Sequence, residues 1–167
     1  TAILPLLVQR TPKMLWCTAR LWAVILLANF VGTFLAIAFA VWGGSIPPEN
    51  VQGMIAISRH FAEHTPWEAF TLGVPAGFYV AAIVWMMPSA RGASVLVIVM
   101  FTYLIAMGGF THVIAGSAEM FLLLLTGEVG PLGVASLLGA TLMGNILGGT
   151  GLFALLAYGQ VAQEIER

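Results

Sequence analysis

The chain has 167 residues, of which 60% are hydrophobic and 8% charged, with a formal net charge of -1 and a mean hydropathy of +0.99. A soluble domain carries about 25% charged residues, so a water-soluble enzyme, a nucleic-acid binder and a disordered chain are excluded together. The single cysteine, Cys17, rules out a disulfide framework and a cysteine metal cage. What remains is an integral membrane protein with no cofactor or metal motif.

Charged residues are confined to a few places. No Asp, Glu, Lys, Arg or His lies between Arg20 and Glu49, between Glu68 and Arg91, or between Glu128 and Glu164, and His112 alone interrupts the stretch from Arg91 to Glu119. A helix needs about 20 apolar residues to cross the hydrocarbon core, which predicts four spans over 15–42, 67–87, 93–126 and 131–159. The first span follows Arg10, Lys13 and Arg20, Arg91 lies in the second-to-third turn, and Arg167 follows the last. Placing these segments in the cytoplasm leaves only Arg59 outside, as the positive-inside rule asks. The C-terminus is then cytoplasmic.

After the first span, Gly43-Gly44 and Pro47-Pro48 stop the helix. The loop 43–66 is external and carries a short interfacial helix, with Val51, Met54, Ile55 and Phe61 on its apolar side. Thr65-Pro66-Trp67-Glu68 reads as a capping box opening the second span, with Thr65 as N-cap and Glu68 reaching back. Glu68 needs no further role. His60 and His64, four apart in this loop, have no third metal ligand in view and read as solvated surface residues.

The third span is too long for one helix. Residues 93–126 would extend about 50 Å against about 30 Å of hydrocarbon. Its middle reads Met107-Gly108-Gly109-Phe110-Thr111-His112, and paired glycines are where a helix breaks. A broken helix at membrane depth is tolerated where its freed backbone lines a cavity or is buried in protein, and such breaks mark transporter binding sites. The bland reading is a tilted helix with a glycine kink. Gly73-xxx-Gly77 in the second span and Gly144-xxx-Gly148 in the last read as small-residue surfaces that allow close helix approach.

The first and last spans match at an offset of about 116 residues: Asn29-Phe30-Val31-Gly32 against Asn145-Ile146-Leu147-Gly148, with Gly43 against Gly159 further on. One copy runs outward and the other inward, an inverted repeat of the transporter kind. Sliding 67–126 back by the same offset puts its counterpart before Thr1. The chain is therefore expected to be the C-terminal two-thirds of a six-span protein.

These residues resemble the formate/nitrite transporter family. The resemblance rests on Gly108-Gly109-Phe110-Thr111-His112-Val113-Ile114-Ala115 and on Gly144-Asn145-Ile146-Leu147-Gly148-Gly149, supported by Asn29-Phe30-Val31-Gly32 and Trp67-Glu68-Ala69. It implies an all-α, aquaporin-like, six-helix inverted-repeat fold. On that numbering residues 1–12 end the second helix and 15–42 form the third. Residues 43–66 are the external loop and 67–87 the fourth helix. Residues 93–107 and 112–126 are the halves of the broken fifth, and 131–159 the sixth. It further implies a homopentamer with one pore per protomer, set in the lipid bilayer of a bacterial inner membrane. The implied cargo is a small monovalent anion such as formate, nitrite or hydrosulfide, together with a proton.

Carried over by position, His112 matches the family's central pore histidine, Ile105 falls where members place a constricting phenylalanine, and Asn145 matches the asparagine near the pore's polar centre. Gly109, Phe110 and Thr111 complete the motif around the break. Members often have Glu where this chain has Thr111 and Asn where it has Gly116, and Arg59 is the nearest cation to a family lysine. These departures put the chain in a divergent subgroup.

A full charge at the bilayer centre costs at least about 3 kcal/mol. A donor that meets the anion and a proton that neutralises it both lower that barrier, and a histidine at the start of a half-helix supplies either. Structurally, His112 reads instead as helix glue through a backbone carbonyl, and Asn145 as an interhelical hydrogen-bonding residue. Glu119, seven residues after His112, lies on the same helical face about 10 Å further outward. It reads as a proton acceptor, an outer selectivity residue, or a structural residue that snorkels or meets a neighbouring subunit. The expected function is a channel or secondary transporter for weak-acid anions, not an enzyme. The alternatives are a neutral-solute pore and a non-transporting anchor subunit.

Overall fold

The computed structural model describes residues 11–44 and 46–165, together with Ile3 and Leu6. Of residues 1–12, expected as the end of a helix, 1–10 fall almost wholly outside the described residues, while Thr11 and Pro12 open the helix that follows. Helix α1 spans Pro12–Trp42, α2 Pro48–Ala62, α3 Pro66–Ala90, α4 Ser94–Met107, α5 Val113–Leu125, α6 Pro131–Ile146 and α7 Leu155–Ile165. A single 3-10 turn, Arg91–Ala93, joins α3 to α4, and a π-helical segment, Leu147–Ala154, joins α6 to α7 without interruption.

Local chemistry sets these boundaries. Thr11 caps α1 by accepting the Met14 N–H at 3.2 Å, and α1 begins with Pro12. The capping box opens α3: the Thr65 hydroxyl accepts the Glu68 N–H at 3.2 Å while the Glu68 carboxylate accepts the Thr65 N–H at 2.7 Å. Helices α2, α3 and α6 likewise have proline in the first turn, where its missing N–H costs nothing.

Three helical stretches are long and apolar enough to cross a membrane: Pro12–Trp42, Pro66–Met107 and Pro131–Gln160. The middle one is a hairpin. A straight helix would separate Tyr79 from Phe101 by about 33 Å, yet their rings lie 5.8 Å apart, because the chain reverses at Arg91 with φ of 44°.

Helices α3 and α6 run side by side and parallel, with their glycines meeting backbone to backbone. A Cβ on Gly77 would strike the Asn145 backbone, one on Gly144 the Phe70 carbonyl, and one on Gly148 the Val74 carbonyl. This close approach carries the π-helical segment onto α3 as well, with Gly149 against the Gly77 carbonyl. Helix α1 packs along α5 through a hydroxyl pair, Thr33 to Ser117 at 3.0 Å, and through Phe30 and Phe34 edge-on to Phe121.

The loop helix α2 does not simply float at an interface. Its Ile55 and Phe61 join Ala69, Met120, Leu122 and Leu123 in the buried core, and Ser58 is buried beside them. The Phe61 ring occupies the space a Cβ on Gly116 would need. The position where the family's asparagine is absent is thus the seat of an aromatic ring from the loop. We call the side carrying α2 the loop face.

Candidate functional site at the helix break

Helix α4 ends in a Schellman motif. Gly109 adopts φ of 60°, its N–H bonds to the Ala106 carbonyl at 3.1 Å, and the Phe110 N–H bonds to the Ile105 carbonyl at 3.0 Å. Glycine is needed here because the left-handed region strains a residue with a Cβ. Phe110, Thr111 and His112 then lie outside any helix, His112 with extended backbone, before α5 begins.

Several of the polar groups freed in this stretch have partners. The buried Thr111 hydroxyl donates to the Ala69 carbonyl at 2.7 Å, and the Thr111 N–H to the Leu72 carbonyl at 3.3 Å. Asn145, from α6, holds both sides of the break. Its Nδ2 donates to the Thr111 carbonyl at 2.9 Å and to the Gly73 carbonyl at 2.9 Å, and its Oδ1 accepts the Val113 N–H at 2.9 Å. An unpaired backbone group at this depth costs several kcal/mol, so one amide side chain makes the discontinuity tolerable. Asn29, its counterpart in the repeat, is exposed and, among the described residues, donates only to the Ile25 carbonyl of its own helix at 2.8 Å.

His112 is the N-cap of α5. Its Nδ1 accepts the Ala115 N–H at 3.4 Å, a long bond. An accepting Nδ1 carries no proton, so the neutral ring is the Nε2–H tautomer and presents a donor. The N–H groups expected to stand free at this helix start are partly used within the protein: Val113 by Asn145 and Ala115 by His112.

Two cavities meet at this residue. One, of about 320 Å³, is lined by Trp22, Gly77, Val84, His112, Asn145 and Thr150, among others, and lies away from the loop face. The other, of about 350 Å³, is lined by Phe61, Ile105, Phe110, Thr111, His112 and Glu119, among others, and opens toward it. His112 and Val80 are common to both walls. Of the residues singled out from the sequence, Ile105, Phe110, Thr111, His112 and Glu119 therefore share one cavity. Asn145 reaches the other, and Gly109 shapes the turn without lining either. Phe61 was not singled out as a site residue: it lies 51 positions before His112, and only its place on the apolar side of the loop helix was visible.

At the loop face, a second Schellman motif with Gly127 at φ of 78° ends α5 and turns Glu128 toward α2. Arg59 donates to both Glu128 carboxylate oxygens, Nη2 at 2.8 Å and Nε at 3.2 Å. Arg59, the nearest cation to the family's lysine position, is thus committed to an ion pair.

An all-helical membrane protein whose central helix is broken, with the break clamped by a neighbouring amide, is the class that this fold defines. The chain belongs to the formate/nitrite transporter family, whose model, described as "Formate/nitrite transporter", matches residues 1–159. It is 33% identical over 175 residues to "Inner membrane protein YfdC" of Escherichia coli, a match covering 99% of this chain and 54% of that protein. It is 33% identical over 102 residues to "Formate channel FocA" of Haemophilus influenzae, covering 58% of this chain and 36% of that protein. The chain thus spans about half or less of the length of these curated relatives. A solved structure described as a pentameric formate channel with formate bound shares the fold, with a TM-score of 0.74 at 23% identity over 87% of this chain and 67% of that one.

Proposed function

We propose that this protein conducts small monovalent weak-acid anions, of the formate, nitrite or hydrosulfide kind, across a bacterial inner membrane with an accompanying proton, as part of a homopentamer with its C-terminus in the cytoplasm. The observation that carries this reading is the position of His112, common to two cavities at the break between α4 and α5.

Burying an anion without a partner is costly, and a fixed donor in a water-poor site lowers that cost. The Nε2–H of His112 is such a donor, oriented by the cap bond that occupies Nδ1. Apolar Ile105, Phe110 and Val80 beside it strip hydration from an ion that lacks a proton or a donor. The same cap bond limits the ring: His112 becomes a cation only by taking a proton on Nδ1, which breaks its bond to Ala115 and sets a positive charge at the positive end of α5. The histidine therefore serves the anion as a neutral donor.

Swelling of proteoliposomes driven by an anion gradient tests the reading. It predicts swelling with formate or nitrite salts that quickens as pH falls. Equal swelling with glycerol, indifferent to pH, would instead mean a neutral-solute pore.

A further inference from the structure

We infer that Glu119 is the proton-loading residue of the loop-side cavity: as a carboxylic acid it admits an anion and protonates it, and as a carboxylate it turns anions away. The inference rests on the proposed anion conduction and names the group that supplies its proton.

Three observations carry it. Glu119 lies in the middle of α5, within an apolar span, where an ionisable side chain is costly and marks a function. It is half-buried, and among the described residues no hydrogen bond or ion pair engages its carboxyl. It also forms part of two cavities. One is the loop-side cavity shared with His112; the other, of about 170 Å³, is a side pocket beneath α2 lined by Ile37, Met54, Ile57, Ser58 and Leu122. The carboxyl thus stands between the path to His112 and the underside of the loop helix.

The surroundings leave this role to Glu119 alone. Among the described residues lining the two cavities, the only other ionisable side chain is His112, held as a neutral donor. From α2, Arg59 is committed to Glu128, His60 faces Glu63 at 3.6 Å, and Glu49 is exposed in the first turn. From α1, Lys13 and Arg20 lie at the opposite end, about 26 Å or more along the helix from Ile37. Glu68 of α3 is bonded to Thr65, Tyr79 of α3 packs on Phe101 and Phe110, Tyr103 of α4 is exposed, and α6 has no ionisable residue. Among the described residues no cation lines the cavity to cancel a carboxylate, so an anion enters against a negative charge unless Glu119 is protonated.

The step balances. The O–H bond of the Glu119 acid breaks as the proton passes to an oxygen or sulfur of the anion, leaving a neutral weak acid and a carboxylate. The anion is held by the His112 donor on the wall of the same cavity until it takes this proton, the neutral acid then moves on, and the carboxylate takes its next proton from water at the loop face. One anion and one proton cross per cycle.

The test is uptake of radiolabelled formate into proteoliposomes holding the full chain, from about pH 5 to pH 8, with assembly checked by gel filtration. Wild-type uptake should fall about tenfold per pH unit once Glu119 ionises, and Glu119→Asp should keep that fall. Glu119→Gln should flatten the profile to within about twofold, and Glu119→Ser should do the same if the glutamine variant does not assemble. A Gln or Ser profile parallel to wild type, even with lower uptake, would overturn the inference while leaving anion conduction standing. No formate uptake by the wild type at any pH would overturn the conduction reading itself.

Discussion

The side-chain oxygen of Asn145 accepts the Val113 N–H at 2.9 Å, 32 residues away in sequence, while its amide nitrogen donates to the Thr111 carbonyl at the same distance. One α6 residue therefore fixes the residues on either side of His112, Thr111 within the break and Val113, the first helical residue of α5. His112 lies between them, so its placement follows from Asn145 rather than from its own contacts.

Replacing Asn145 should consequently act on stability first and on conduction through it. Asn145→Ala leaves one N–H and two carbonyls without their partner, which should cost about 2 to 4 kcal/mol. Asn145→Asp should not rescue it, because a carboxylate has no proton to offer the Thr111 and Gly73 carbonyls. Thermal unfolding in detergent, followed by tryptophan fluorescence, measures both. A change within about 0.5 kcal/mol for either variant contradicts the clamp.

Gly109 is the second support of the break, for a backbone reason. At φ of 60° a Cβ is strained, although no neighbouring atom stands in its way. Gly109→Ala should lower stability by about 1 to 2 kcal/mol, and Gly109→Asn by less, since asparagine tolerates the left-handed region. The ranking Gly, Asn, Ala in melting temperature is the check. Equal stability for all three would mean that this turn relaxes.

The Arg59–Glu128 pair predicts an acid-sensitive tie between the loop helix and the end of α5. The side-chain hydrogen bonds and positive charge of Arg59 hold the Glu128 carboxyl below its ordinary value, while Glu128 holds the Arg59 guanidinium above its own. A carboxyl with a depressed folded pKa stabilises the folded state above its unfolded value, and that support is lost as pH falls through the depressed value. Acidification below about pH 4 should therefore lower the hydrogen-exchange protection factors in 48–62, measured against the intrinsic rate at each pH, and salt should weaken the tie. Glu128→Gln should keep one protection factor across that window. The pair is exposed, so the effect is confined to α2.

Much of this architecture is legible in the sequence because lipid is an exacting solvent. Gaps between Arg20 and Glu49 and between Glu68 and Arg91 mark apolar helices, and an over-long stretch with Gly108-Gly109 at its centre marks the break. Capping at Thr65 depends on neighbours three residues away and is equally readable. What the sequence leaves open depends on contacts between distant segments. Asn145 reads equally as pore lining or packing until Thr111, Val113 and Gly73 are seen around it. Phe61 reads as the apolar side of a surface helix until Gly116 gives its ring a seat. The π-helical segment Leu147–Ala154 looks like uninterrupted helix, since nothing local separates the two; Gly148 and Gly149 meet the α3 backbone there.

The central claim is that the His112 imidazole meets the anion. His112→Asn tests it most directly, because asparagine is a good N-cap whose oxygen can take over the Ala115 N–H, preserving the start of α5 while removing the ring. Formate uptake into proteoliposomes under an inward proton gradient is the measurement. Loss of one donor to a charged substrate should reduce uptake about tenfold or more in a variant that unfolds at the wild-type temperature. Uptake unchanged in rate and in proton dependence would contradict the account.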